Sequence, residues 1–200
     1  MSRRLRGWAW LAAACVATSA YTGQATPGAL PAFDRVMALA APRAVKDIAM
    51  TDHTGAPRKL GDFAGHPVLV FFGFTHCPDV CPTTIQKLAL LEAARAEDLA
   101  DVRVVMVSVD GERDTPAALA TFLGRFSAKF IGLTAPPAQV RELANGFSAA
   151  FFKDPPRDGA YNVQHSTRVY ALDKHGRLRA EMFDAPADSI VGLVRALAAE

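Results

Sequence analysis

The sequence predicts an α/β fold, a mixed β-sheet flanked by helices and preceded by an N-terminal β-hairpin. Short apolar runs that suit buried strands alternate with helical patterns between residues 68 and 146. Two more strand patterns, at 167–172 and 178–183, and a last helix at 187–199 follow. Because strand–helix alternation builds parallel strands and a hairpin adds an antiparallel pair, we expect both strand directions in one sheet.

The regular pattern begins with the hairpin and a first strand–helix unit. Val45–Met50 and Arg58–Leu60 flank the turn-rich segment Asp52–Gly55, which predicts a β-hairpin. Val68–Phe72 is an uninterrupted apolar run that suits a buried strand, and Ile85–Ala94 has apolar residues at helical spacing. The segment that joins the two is therefore a strand-to-helix turn.

Two more strands and two more helices are predicted in the middle of the chain. Val102–Val109 is a Val-rich strand, and Thr115 and Pro116 are the N-cap and first residue of a helix. Phe130–Leu133 predicts a short strand, and Pro137–Gly146 predicts the next helix. Together these elements predict one domain over residues 44–200, a comfortable size for a single core.

The N-terminal residues have a different composition. Arginines precede a short apolar stretch, Gly7–Ala20, so residues 1–22 are predicted to be an export signal or a membrane anchor. Cys15 is read as a small apolar residue of this stretch, with lipid attachment as the alternative. Residues 23–43 are predicted to be a linker. The net charge of +2 and the absence of a basic patch argue against nucleic acid as a partner.

Two cysteines, Cys77 and Cys81, are separated by three residues in the strand-to-helix turn. A helix N-terminus favours thiolate, and cysteines after a central buried strand favour a thioredoxin-like fold. Such a pair can bind a soft metal or cycle between dithiol and disulfide. A purely structural disulfide explains it poorly, because so short a loop would constrain the unfolded chain little.

The spacing of the two cysteines indicates which metal the pair could bind, and a histidine could supply a third ligand. Residues four apart share one helix face, so both sulfurs can converge on one ion. Cu(I) suits two thiolates, whereas zinc and iron–sulfur sites usually need four ligands. His165 precedes the strand at 167–172, beside the cysteine turn in a thioredoxin-like sheet, and is a candidate ligand. His76 adjoins Cys77 and could tune it, while the remaining histidines read as loop residues: His53, His66 and His175.

Four segments carry a resemblance to a known family: Gly73–Thr84, Ser108–Pro116, Phe130–Thr134 and Val163–Thr167. The first reads Gly-Phe-Thr-His-Cys-Pro-Asp-Val-Cys-Pro-Thr-Thr and is the most specific. Over residues 44–200 the chain resembles the Sco/SenC copper chaperones, thioredoxin-like proteins that help to assemble cytochrome c oxidase.

The resemblance implies that Cys77, Cys81 and His165 bind one copper ion, as Cu(I) or Cu(II), in each domain. It implies delivery to the dinuclear copper centre of cytochrome c oxidase subunit II, with a periplasmic thiol reductant or an upstream copper donor as a further partner. The expected location is the periplasmic side of the bacterial inner membrane, anchored or secreted. Gln164 departs from the family pattern, which often has Asp there.

The alternative to a metallochaperone is an enzyme. Cys77 and Cys81 would then be the redox-active pair of a thiol–disulfide oxidoreductase that keeps the copper-site cysteines of the oxidase reduced. Two features argue against it. A third residue separates the cysteines, and His165–Ser166 stands where thioredoxins carry a cis-proline before the Thr167 strand. A peroxidase-like relative and a redox or copper sensor are further alternatives.

Overall fold

A computed structural model describes residues 29–200 and has the mixed α/β architecture that the sequence predicts. The described residues form these strands: β1 (Val36–Ala44), β2 (Met50–Asp52), β3 (Pro57–Arg58), β4 (Val68–Gly73), β5 (Arg103–Ser108), β6 (Ile131–Thr134), β7 (Phe151–Lys153), β8 (Val163–His165), β9 (Val169–Leu172) and β10 (Arg177–Met182). The helices are α1 (Val80–Ala94), α2 (Pro116–Leu123), α3 (Pro137–Gly146) and α4 (Ala187–Ala198), with a 3-10 turn at Leu60–Phe63.

Within residues 29–200, the main sheet has eight strands in the order β1-β10-β9-β4-β5-β6-β2-β3. Strands β4, β5 and β6 are parallel, while β9 runs antiparallel to β4 and β10 antiparallel to β9. Strands β7 and β8 form a separate antiparallel pair. All residues of β4 are buried, because it lies in the middle of the sheet between β5 and β9.

Both faces of β4 are covered. Val70 and Phe72 belong to one buried cluster, which includes residues of α3, while Leu69 and Phe71 belong to another, which includes residues of α1, α2 and α4. This alternation is the period-2 pattern of a strand, applied to an uninterrupted apolar run that is buried on both sides. Gly73 ends the strand, so the chain leaves the sheet between two protected layers and enters the cysteine turn.

The predicted hairpin is confirmed as β2 and β3, with Met50 opposite Arg58, but its arms are shorter than predicted: residues 45–49 lie outside any strand, and Leu60 begins the 3-10 turn. Asp52 organises its turn, since its carboxylate accepts hydrogen bonds from the Thr54 amide at 2.9 Å and the Thr54 hydroxyl at 2.6 Å. Burial acts to raise the pKa of Asp52, but hydrogen bonds from Thr54, Ala56 and Arg58 outweigh it and lower the pKa to about 2.

The linker prediction needs correction at its C-terminal end. Residues 36–43 lie in β1, which pairs antiparallel with β10. Strand β1 lies at the edge of the sheet and most of its side chains are exposed, so the sequence there lacks the alternation that marks a half-buried strand. The predicted boundary near residue 22 and Cys15 lie outside the described residues, and the division of the chain stays a prediction. Within residues 29–200, no helix is long and apolar enough to cross a membrane.

Candidate metal site

Three potential metal ligands converge beyond the carboxyl end of β4. The His165 Nε2 atom lies 3.9 Å from the Cys77 Sγ and 3.5 Å from the Cys81 Sγ, and all three atoms lie within 4.8 Å of one another. Among residues 29–200, this is the one such group of three or more His, Cys, Asp or Glu side chains. The structure therefore brings together the three residues that the sequence singled out, from positions far apart in the chain.

The spacing of these atoms suits a three-coordinate ion. Bonds from a first-row metal to nitrogen and sulfur ligands measure about 2.0–2.3 Å, so three ligands around it stand roughly 3.5–4.0 Å apart. The two sulfur-to-nitrogen distances, 3.5 and 3.9 Å, fall at the two ends of that range. Two soft sulfurs and one imidazole form a donor set that suits copper.

Cys81 is held by a helix and by close packing. It is the second residue of α1 and is 1% exposed, and a Cβ on Gly73 would lie 2.8 Å from its sulfur. Burial raises the pKa of the Cys81 thiol, and the charges of Cys77 and Asp114 act in the same direction. A backbone hydrogen bond with Phe74 acts to lower this pKa but does not cancel the effect of burial, so the protonated thiol is favoured and a metal must displace its proton.

Cys77 lies outside any regular element, in the turn between β4 and α1, and is half-buried. Its amide donates to the Phe74 carbonyl at 3.2 Å. Its sulfur accepts a hydrogen bond from the Cys81 amide at 3.5 Å, whereas the N-cap residue Asp79 makes no side-chain cap. The Cys77 sulfur thus partners one of the free amides at the start of α1.

His165 ends β8, where it pairs with Phe151 of β7. Its ring stands edge-on to Phe74, with centroids 5.7 Å apart. The Nδ1 atom lies 3.0 Å from the Ser166 carbonyl, which can only accept, so Nδ1 carries the proton and Nε2 presents its lone pair to the sulfurs. Burial lowers the pKa of His165, which favours the neutral ring that a metal requires.

The other histidines lie elsewhere. His76 directs Nδ1 to the Thr75 hydroxyl at 3.0 Å, consistent with its interpretation as a non-ligand. His53 accepts from the Gly132 amide, and His66 contacts Arg103. His53, His66, His76 and His175 are not part of the ligand cluster.

A polar network that the sequence did not predict lies beside the site. The Tyr161 hydroxyl donates to Asp110 at 2.8 Å, and Arg113 donates to the Tyr161 carbonyl at 3.1 Å while its guanidinium lies 3.8 Å from the Tyr161 ring centre. These contacts tie the segment before β8, and so the approach to His165, to the segment after β5. The Asp and Arg residues in Ser108–Pro116 were the one sequence signal for this network, although the sequence alone does not show what that segment contacts.

These features define a class: a thioredoxin-like protein whose strand-to-helix turn carries a dithiol with an imidazole beside it. The sequence profile of the SCO1/SenC family matches residues 37–197. The chain belongs to that family.

Individual relatives agree with the assignment. A mouse mitochondrial SCO2 homologue is 36% identical over 173 residues, which are 85% of this chain and 64% of the mouse protein. The structure of Bradyrhizobium japonicum ScoI with copper bound is similar with a TM-score of 0.70 at 32% identity, over 76% of this chain and 98% of that one. Apo Sco1 from Thermus thermophilus has a TM-score of 0.72 at 37% identity, over 85% and 99%. The chain spans less than two thirds of the mouse protein's length.

Proposed function

We propose that this protein is a copper chaperone that binds one copper ion, as Cu(I) or Cu(II), through Cys77, Cys81 and His165. The observation that carries the proposal is the convergence of two sulfurs and one imidazole nitrogen within 4.8 Å. Two thiolates without two further ligands suit Cu(I) better than zinc, which usually takes four ligands, and a ring nitrogen suits Cu(II). The copper in the structure of the Bradyrhizobium japonicum relative supports the choice of metal.

Loading requires both cysteines as thiols, because a disulfide offers no thiolate. A periplasmic thiol reductant would therefore act first, and an upstream donor would supply the ion. Copper then takes the place of the proton on the buried Cys81 thiol. The neutral ring of His165 adds its Nε2 atom without losing a proton, since Nδ1 already donates towards Ser166.

Delivery would proceed by exchange of ligands with an acceptor. Cys77 is the more exposed of the two cysteines, so an incoming ligand can reach the copper from its side. The resemblance to the Sco/SenC chaperones points to the dinuclear copper centre of cytochrome c oxidase subunit II as the acceptor. It also points to the periplasmic side of the bacterial inner membrane as the location, with the protein anchored or secreted.

The test is copper binding by reduced protein prepared without oxygen. We expect one copper per chain, and loss of tight binding in Cys77→Ser and in Cys81→Ser. His165→Ala should weaken Cu(II) more than Cu(I), because Cu(II) depends more on nitrogen ligands. His53→Ala is the matched control, since that ring lies outside the cluster. Full Cu(II) affinity in His165→Ala would remove this residue from the site. Transfer is tested with the apo copper domain of subunit II.

A second candidate function is thiol–disulfide exchange, and one observation favours it. The half-buried Cys77 and the buried Cys81 have the layout of an attacking and a resolving thiol, with sulfurs within 4.8 Å. On this proposal the protein reduces the copper-site cysteines of the oxidase. Protein that binds no copper but reduces a disulfide in the apo subunit domain would favour the enzyme. Stoichiometric copper with slow disulfide exchange would favour the chaperone.

A further inference from the structure

The segment Ser108–Pro116 contains a buried carboxylate whose role the metal site does not explain. Asp114 is fully buried, and its oxygens accept three hydrogen bonds. The donors are the Thr75 amide at 3.0 Å, the Thr75 hydroxyl at 2.6 Å and the Ser108 hydroxyl at 2.7 Å. Since a buried carboxylate is costly unless it is fully hydrogen-bonded, these donors are what keeps Asp114 in place.

No strong cation neutralises this carboxylate within residues 29–200. The basic group that approaches it there is His76, whose Nδ1 atom lies 3.9 Å from Asp114. Two of the three hydrogen bonds come from Thr75, so most of the compensation for burying Asp114 depends on the position of that one residue. The contact thus joins the segment after β5 to the start of the cysteine turn.

Cys77 is the ligand that depends on this turn. Cys81 is fixed by α1 and by Gly73, and His165 is fixed by its strand and by Phe74. Cys77 precedes the helix, and the backbone bond from its amide to the Phe74 carbonyl closes a turn that contains Thr75. Holding Thr75 at two atoms therefore restrains the turn from which the Cys77 sulfur projects.

We propose that Asp114 is a positioning residue of the metal site, which acts through Thr75 to hold the Cys77 sulfur near Cys81 and His165. That this restraint serves copper binding rests on the proposed function. The restraint on the Cys77 sulfur itself does not require a metal. A restrained turn raises the effective concentration of one sulfur near the other, both for binding an ion and for closing a disulfide. Loosening the turn should weaken both.

The test variant is Thr75→Val, which keeps the branched shape and removes the hydroxyl. The chain supplies a matched control in Thr54→Val, because Thr54 donates its amide at 2.9 Å and its hydroxyl at 2.6 Å to the buried Asp52 in the β2–β3 hairpin. That hairpin lies at the sheet edge, away from β4. Thr75→Ser keeps the hydroxyl and serves as the rescue.

The first measurement uses metal-free protein in glutathione redox buffers. Two protein thiols and one oxidised glutathione give one protein disulfide and two reduced glutathione molecules, and mass spectrometry after alkylation counts each form. We expect the equilibrium constant for disulfide formation to fall by about five- to tenfold in Thr75→Val, which is the size of one typical net hydrogen bond. We expect it to stay within about twofold of wild type in Thr54→Val and Thr75→Ser.

The second measurement is copper affinity by competition with a chelator. We expect Thr75→Val to bind copper more weakly than wild type, and Thr54→Val and Thr75→Ser to bind it nearly as well as wild type. Thermal unfolding shows whether Thr75→Val and Thr54→Val lose similar stability. The proposal is overturned if Thr75→Val matches Thr54→Val in the glutathione equilibrium, or if Thr75→Ser falls as far as Thr75→Val. If wild-type protein binds no copper, the proposed function is wrong. The glutathione equilibrium still tests whether Asp114 positions Cys77, because that measurement uses metal-free protein.

Discussion

Replacing Gly73 with alanine should displace the sulfur of Cys81. A Cβ at this position would lie 2.8 Å from the Cys81 Sγ and 3.2 Å from the nearest ring carbon of Phe71. The backbone of Gly73 cannot easily retreat, because the residue pairs with Ser108 of β5 and its carbonyl accepts from the Val109 amide at 2.9 Å. The strain therefore falls on the two side chains, and Cys81 has the closer contact.

The size of the effect follows from that distance. The sulfur must move by at least about 0.6 Å, which separates 2.8 Å from the 3.4 Å at which ordinary contact begins. Metal–ligand distances in a well-formed site lie within about 0.2 Å of their usual values, so a sulfur that stays displaced by about 0.6 Å would distort the site. Overpacking a close-packed interior costs about 1–3 kcal/mol. If the copper-bound state bears that cost, copper affinity falls roughly five- to 150-fold.

The assay is Cu(I) competition against a chromophoric chelator, with Gly146→Ala as the matched control. A Cβ on Gly146 meets nothing closer than 3.8 Å, so that variant should bind copper like wild type. Circular dichroism and thermal unfolding separate a misplaced sulfur from a protein that does not fold. A folded Gly73→Ala variant with copper affinity within twofold of wild type would refute the reasoning.

Long, buried elements were predictable because local pattern and tertiary environment agree in them. The apolar run of β4 and the helix that follows were both predicted, and Thr115 caps α2 as expected by accepting from the Ala118 amide at 3.2 Å. Strands β1, β7 and β8 were missed. They are short or largely exposed, so their residues lack the periodicity that burial imposes, and tertiary pairing alone defines them.

The residues of the candidate site also differ in how far the sequence predicted them. The spacing of Cys77 and Cys81 is local, so the sequence alone identified the pair. His165 lies 88 residues from Cys77, and its ring reaches the sulfurs because the β7–β8 hairpin carries it there. Position alone left it one candidate among several, and the resemblance singled it out. Asp114 and Tyr161 could not be identified from local patterns, because their partners Thr75 and Asp110 are distant in sequence.

Two further predictions concern pH. Since burial raises the pKa of the Cys81 thiol, copper must displace its proton, and apparent affinity should rise by at least about tenfold per unit from roughly pH 6 to 8; a flat chelator-competition profile would contradict this. Hydrogen bonds outweigh burial and lower the pKa of Asp52 to about 2, below an unfolded value of about 3.9. The resulting stability, roughly 2 kcal/mol, is present above about pH 4 and is lost as the pH falls towards 2. Asp52→Asn should abolish this part of the acid dependence in urea unfolding, and equal acid sensitivity in the two proteins would count against it.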